Sequence, residues 1–233
     1  EDLHFTPENG YSYPFFINCH NGDILLGVTT ATKSADSKTI FYRSKNDGET
    51  WTKEGSSIDL KKNVTNNATD GYATYGQGIT LRHGGNLGSR KLMFPYFYNA
   101  PDKKKPGYYV AIMSSEDDGK NFKSICESFY FNKKTNTGNI GSFSSYISKI
   151  IELANGDILL NMRTSGLNGW TFWMLSTNCG KNWDITVGNT GEENTKNPVW
   201  GKNADFIRYE FNGKDIKLGG DKYALMITSY EKK

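Results

Sequence analysis

The chain has 233 residues, a net charge of +3 and 23% charged residues, which suits one all-β domain and gives no charge signature of a nucleic-acid binder. No run approaches the ~20 apolar residues of a membrane span. Three cysteines (Cys19, Cys126, Cys179) and three histidines (His4, His20, His83) lack metal-ligand spacing, so neither a metal nor any other cofactor is expected, and the odd cysteine count allows at most one internal pair.

In chain order, the first element signal is His20-Asn-Gly-Asp-Ile-Leu-Leu-Gly27. Asn-Gly is the strongest short hairpin signal. Thr39-Ile-Phe-Tyr42 reads as a strand and runs into Ser44-Lys-Asn-Asp-Gly-Glu-Thr-Trp51. A polar loop is predicted over 59–72, with Lys61-Lys62 as a solvated face and two glycosylation sequons, Asn63-Val-Thr65 and Asn67-Ala-Thr69. Tyr75-Gly-Gln-Gly-Ile-Thr-Leu-Arg82 and Gly88-Ser-Arg-Lys-Leu-Met-Phe94 open the next unit. Loop 99–107, carrying Lys103-Lys-Lys105, leads to the strand Tyr108-Tyr-Val-Ala-Ile-Met113 and then to Ser115-Glu-Asp-Asp-Gly-Lys-Asn-Phe122. A loop over 131–142 precedes Ala154-Asn-Gly-Asp-Ile-Leu-Leu-Asn161, the strand Trp170-Thr-Phe-Trp-Met-Leu175 and Ser176-Thr-Asn-Cys-Gly-Lys-Asn-Trp183. After loop 188–203, Ala204-Asp-Phe-Ile-Arg-Tyr209 and Gly220-Asp-Lys-Tyr-Ala-Leu-Met226 form the last unit.

One phrase thus occurs three times: Ser-x-Asp/Asn-x-Gly-x-Thr/Asn-aromatic, with starts 71 and 61 residues apart. Each copy follows a strand. A short polar side chain two residues before a glycine suits a turn that the side chain hydrogen-bonds itself, while the glycine takes positive φ. The closing aromatic is expected to fold back as a lid. With the Asn-Gly hairpins in step, the repeating unit is hairpin, gap, hairpin. Four antiparallel strands of this kind make the blade of a β-propeller, and a period this long marks a repeat architecture. The predicted fold is therefore all-β: one propeller domain over 1–233, with blades at about 10–60, 72–130, 143–187 and 200–233.

The three phrases resemble the Asp-box (BNR) repeats of the sialidase superfamily. The segments between them sharpen the resemblance. Tyr75–Arg82 followed by Arg90-Lys-Leu-Met-Phe-Pro-Tyr96 is similar to the sialidase segment that opens a blade with a glycine pair. Ile147-Ser-Lys-Ile-Ile-Glu-Leu-Ala-Asn-Gly-Asp-Ile-Leu-Leu-Asn-Met-Arg163 is similar to the segment that carries the catalytic glutamate and the second arginine of the carboxylate-binding triad. The resemblance covers about residues 39–230 and implies a six-bladed ring, of which this chain supplies about four blades. Another chain or segment is then expected to complete the ring. In a second register, Tyr11-Ser-Tyr-Pro14 stands for the family's Tyr-Arg-Ile-Pro, with Ser12 at the first triad arginine and Asp36 as the nearest acid/base candidate. The register that places 10–51 as the second blade is preferred.

A sialoside carries a carboxylate on its anomeric carbon, which calls for planar, permanently charged arginine forks. By resemblance Arg163 binds that carboxylate; the plainer reading is a strand-end arginine at the surface. The glutamate position falls on Ile147, which cannot accept a proton. Glu152, five residues on, is expected to face solvent. Tyr75, Gln77 and Trp170 are candidate glycan contacts, with packing as the alternative for each and core packing as the default for Trp173. Arg82 is read as a blade-edge or loop residue and Arg208 as structural. The expected function is recognition of sialylated or related glycans and glycoproteins by a sialidase-like propeller whose catalysis is impaired. The alternatives are a fragment of an active exo-α-sialidase or trans-sialidase, and a propeller used only for protein contact. A secreted or cell-surface location is expected, with N-glycans at Asn63 and Asn67 and Glu1-Asp-Leu read as a mature or trimmed start.

Overall fold

The computed structural model describes residues 10–30, 37–56, 58–64, 68–83, 90–99, 108–125, 131–134, 140–165, 171–187, 204–208, 210–211, 214–215 and 224–228. Apart from one 3₁₀ turn at Leu60–Asn63, the regular structure there is strand. The first sheet contains β1 (Tyr11–Asn18), β2 (Ile24–Thr30), β3 (Thr39–Ser44) and β4 (Thr52–Lys53) in sequential antiparallel order. The Asn21-Gly22 turn closes β1 on β2 as the sequence predicts. Gly22 takes φ 91°, and the Asn21 side chain accepts from the Asp23 N–H while donating to the Asp23 carboxylate.

The second sheet is built on β8 (Leu92–Asn99), which pairs with β9 (Tyr108–Ser115) on one side. On its other side β8 takes both β5 (Asp70–Ala73) and β7 (Ile79–Thr80). β10 (Lys123–Ser124) completes the sheet, while β6 (Gly76–Gln77) leaves it to pair in parallel with β1. The third sheet runs β11 (Phe131–Lys134), β12 (Ile140–Glu152), β13 (Ile158–Ser165), β14 (Thr171–Ser176) and β15 (Asp184–Val187). Two ladders follow: β16 (Ala204–Arg208) with β19 (Ala224–Thr228), and β17 (Glu210–Phe211) with β18 (Lys214–Asp215).

Two of the expected loops contain structure. Within the span 131–142, Phe131–Lys134 forms a strand that pairs with Ile140–Phe143 at the start of β12. The span 59–72 holds the 3₁₀ turn and the start of β5. Lys61 in that turn is buried: its ammonium donates to the Ser37 carbonyl and lies 3.2 Å from the Asp59 carboxylate. A local polar composition does not reveal such a partner, because Ser37 lies on another part of the chain. Lys62 is exposed, and Lys103–Lys105 lie outside the described residues.

All three copies of the repeated phrase build the same turn. The hydroxyls of Ser44, Ser115 and Ser176 accept from the N–H of Gly48, Gly119 and Gly180 at 2.9, 2.8 and 2.9 Å. Asn46, Asp117 and Asn178 accept from the N–H of Thr50, Asn121 and Asn182 at 2.9, 2.9 and 2.8 Å. The indoles of Trp51 and Trp183 close back on the carbonyls of Gly48 and Gly180. The turn needs positive φ at two successive residues. The glycine is the second; the first is Asp47, Asp118 or Cys179, at 55–56°.

The sheets stack face to face. Residues Leu92–Tyr98 of β8 are buried without interruption. Its even-numbered side chains, Leu92, Phe94, Tyr96 and Tyr98, pack with Phe15, Ile17, Leu25 and Phe41 of the first sheet. Its odd-numbered Met93 and Phe97 pack with Ile150, Ile158, Leu160 and Met162 of the third. A strand buried on both faces reads as a continuous apolar run rather than an alternating one. Each such side chain contributes about 1.5–3 kcal/mol through burial. The repeated turn joins this packing. A Cβ on Gly119 would lie 2.7 Å from Leu25 of the first sheet, and one on Gly180 would lie 2.9 Å from Ile125 and near Met93 of the second. Arg43 in β3 donates to the Asp118 carbonyl across the same junction.

Candidate functional site

The three sheets come together along β1, β5–β7 and β12. β12 touches β6, β7, β8 and β9, and β1 touches β5 and β7. Two β-bulges lie on these strands. In β1, Tyr13 and Pro14 together oppose Val28 of β2, between the pairs Ser12–Thr29 and Phe15–Gly27. In β12, Tyr146 and Ile147 together oppose Arg163 of β13, between the pairs Ser145–Thr164 and Ser148–Met162. A bulge sets two residues against one, bends the strand and re-aims side chains. Counted back from the Asn-Gly turns, Tyr13 and Ile147 are equivalent positions, and Thr29 is the equivalent of Arg163.

Backbone pairing thus brings Ile147 and Arg163, sixteen residues apart in sequence, to one level of the third sheet. Arg163 also pairs with Thr171 of β14. The arginine and the residue at the expected glutamate position are therefore cross-strand neighbours at the backbone level. The equivalent Thr29 is fully buried, and neither its hydroxyl nor that of Ser12 opposite it has a hydrogen-bond partner.

At this convergence an aromatic group surrounds Tyr13. Its ring centre lies 5.0 Å from that of Tyr72, 5.5 Å from Phe97 edge-on, and 6.3 Å from Tyr75 in a stacked arrangement. Tyr13 takes φ 54°, a left-handed conformation uncommon for a residue with a bulky side chain. Lys149 of β12 is buried; its ammonium donates to the Tyr75 carbonyl and sits 4.7 Å from the centre of the Tyr75 ring. Burial, then the neighbouring Asp70 and Tyr13, push the Tyr72 phenol above its ordinary pKa, so it is a neutral hydrogen-bonding group at neutral pH. The site thus presents half-buried tyrosine rings, with a buried ammonium held against Tyr75.

Tyr75 is half-buried between Tyr13 and Lys149, and half-buried Gln77 pairs with Phe16 through the backbone. Asp36, Trp170 and Asn67 lie outside the described residues, and Ile147, Arg163, Trp173 and Arg208 are described as backbone. The Asn63 amide donates to the Phe122 carbonyl at 2.5 Å, tying the 3₁₀ turn to the end of the second phrase. Arg82 and His83 are exposed loop residues. Cys19 and Cys179 are not joined to each other by a disulfide.

Glu152 is a correction. It is buried rather than solvent-facing, and its two carboxylate oxygens accept the N–H groups of Arg82 and His83 at 2.7 and 2.8 Å. It fastens the end of β12 to the second sheet. Strand alternation could not find this role, because the donors lie about seventy residues earlier in the chain. Tyr13, although it lies in the Tyr11–Pro14 segment, and Lys149 are not among the site residues expected from the sequence. A tyrosine before Pro14 looks like any strand residue, and Lys149 lies in an apolar strand whose neighbours in space come from the second sheet. Among the described residues no cluster of His, Cys, Asp and Glu could hold a metal ion, and no helix is long and apolar enough to cross a membrane.

Neither a protein-family model nor a curated protein sequence matches the chain. Solved structures do. A Hadza microbial sialidase matches with 20% identity and a TM-score of 0.59, covering 81% of this chain and 35% of that one. The Trypanosoma rangeli sialidase matches with 17% identity and a TM-score of 0.59, covering 91% and 34%. The Penicillium chrysogenum α-L-arabinanase matches with 16% identity and a TM-score of 0.56, covering 81% and 51%. The chain spans about a third to a half of the length of these structures. The fold is therefore all-β and of the β-propeller kind that these solved structures share, as the repeats predict.

Proposed function

We propose that the chain is part of a glycan-recognising, sialidase-like propeller in which the hydrolytic machinery is impaired. The observation that carries this reading is the bulge that sets Tyr146 and Ile147 opposite Arg163. The position beside the arginine holds an aliphatic side chain where proton transfer needs a group that can accept a proton. Arg163 itself supports binding. The equivalent position in the first sheet is Thr29, so the scaffold does not require arginine there. A guanidinium is suited to a sugar carboxylate. The recognised class is a sialylated or related acidic glycan on a cell surface or glycoprotein, with a secreted or surface-exposed location. Another chain or segment completes the ring.

The test is a glycan array that includes sialosides and neutral arabinans, together with turnover of a fluorogenic sialoside. Sialoside binding without turnover is expected, and Arg163→Ala should weaken it by about tenfold or more, the loss of a charge-assisted contact. Hydrolysis by the unmodified protein would overturn the impairment. Binding that is indifferent to Arg163→Ala, or no glycan binding, would favour a protein-contact propeller.

A further inference from the structure

We propose that Tyr13 is a sugar-contact residue and that Lys149, through Tyr75, makes the same site select an acidic sugar over a neutral one. The proposal rests on the glycan-binding reading above and extends it to two residues of the first and third sheets.

Three independent observations converge. The first is backbone conformation. Tyr13 is held at φ 54° in a bulge, where a residue with a Cβ is strained and such strain collects at binding and catalytic sites. Glycine, asparagine or aspartate would fill that position at lower cost. A tyrosine there calls for a reason beyond the turn itself. The second is place. The bulge lies within one residue of the position, relative to the Asn-Gly turn, of the bulge at Tyr146 and Ile147 in β12, so a similar device recurs on two strands that both touch β6 and β7. The third is chemistry. Tyr13 is half-buried rather than sealed in, it stacks on Tyr75, and the Lys149 ammonium lies over the Tyr75 ring. An aromatic face offers the flat apolar surface on which a sugar ring rests. A buried ammonium nearby favours a carboxylate on that sugar, because charges interact strongly away from bulk water.

Asp70 is the acid that acts on Tyr72, but it accepts from the Asn99 N–H at the far end of β8. The cation acts on Tyr75 directly.

The experiment measures binding of 3′-sialyllactose and lactose by titration calorimetry with the full chain and three variants. The unmodified protein should prefer 3′-sialyllactose. Tyr13→Phe keeps the ring and should bind within about twofold, whereas Tyr13→Asn, which tolerates the backbone, should lose about tenfold or more. Lys149→Gln should erase most of the preference for the acidic sugar. Thermal melts accompany each titration; the Lys149→Gln preference ratio reads selectivity even if Tyr13→Asn folds poorly. No binding by the unmodified protein would overturn both this proposal and the function above. Binding that Tyr13→Asn and Lys149→Gln leave unchanged would overturn this proposal alone.

Discussion

Glu152 shows how one buried carboxylate can hold two sheets in register. It answers two backbone N–H groups that the 81–83 turn would otherwise leave unpaired. Hydrogen bonds to a charged group are worth about 1.5–3 kcal/mol each, and leaving a buried donor unmade costs about as much. Glu152→Ala should therefore lower stability by about 3 kcal/mol in chemical denaturation, whereas Glu152→Gln, which keeps one acceptor, should lose about half of that. Equal losses for the two variants would mean that the carboxylate is not the clamp. Tyr96 shows the same logic in an apolar setting. Burial, aided by Asp59 and Asp70, raises its phenol pKa far beyond the ordinary range, so it stays neutral and serves as packing. Gly71 is the necessary complement, since a Cβ there would lie 2.3 Å from the Tyr96 hydroxyl.

Among the elements, the repeated turn was the most legible part of the molecule. Every contact that makes it lies within eight consecutive residues, so the serine, the Asn/Asp and the glycine could be read directly from the sequence. One feature was not legible. The residue before the glycine also takes positive φ, and Cys179 does so as readily as Asp47 and Asp118. The surrounding hydrogen bonds override that residue's own preference. The loop predicted over 131–142 failed for the opposite reason: β11 is specified by its partner in β12, and neither stretch has a strong strand composition alone. The bulges were hidden in the same way, because a bulge is a property of two strands and the sequence displays one at a time. The turns also differ chemically. In the second copy the capping acceptor is Asp117, which titrates, whereas Asn46 and Asn178 do not. Burial raises the Asp117 pKa, but bonds from the Asn121 side chain, the Asn121 backbone and the Ser115 hydroxyl outweigh it, and the carboxyl is held below its usual value. A depressed folded pKa gives stability that is present above the unfolded value, about 3.9, and is lost as pH falls through the folded one. Melting temperatures of the unmodified protein and Asp117→Asn should therefore converge as the pH is lowered into this range. A constant gap between them down to pH ~2 would show that Asp117 does not contribute to the acid sensitivity.

In the whole molecule, the same turn does a second job that its sequence does not announce. The second and third copies press their glycine edge against the preceding sheet, while in the first copy a Cβ on Gly48 would meet the ring of its own Trp51 at 3.7 Å. All three glycines have similar φ, between 81 and 90°, so the backbone cost of adding a methyl group is the same at each. That isolates the packing between sheets. Gly48→Ala should cost about 1 kcal/mol, the penalty for a Cβ in the left-handed region. Gly119→Ala should cost that amount plus the displacement of Leu25, which lies 2.7 Å from the new atom. Overpacking of this kind adds about 1–3 kcal/mol. Because Leu25 belongs to the cluster that joins the first and second sheets, the extra loss measures how firmly one blade seats on the next. Denaturant titration of the two variants reads the difference directly. Equal costs at Gly48 and Gly119 would mean that the turn serves its own hairpin alone and that the large apolar side chains of β8 carry the junction without it.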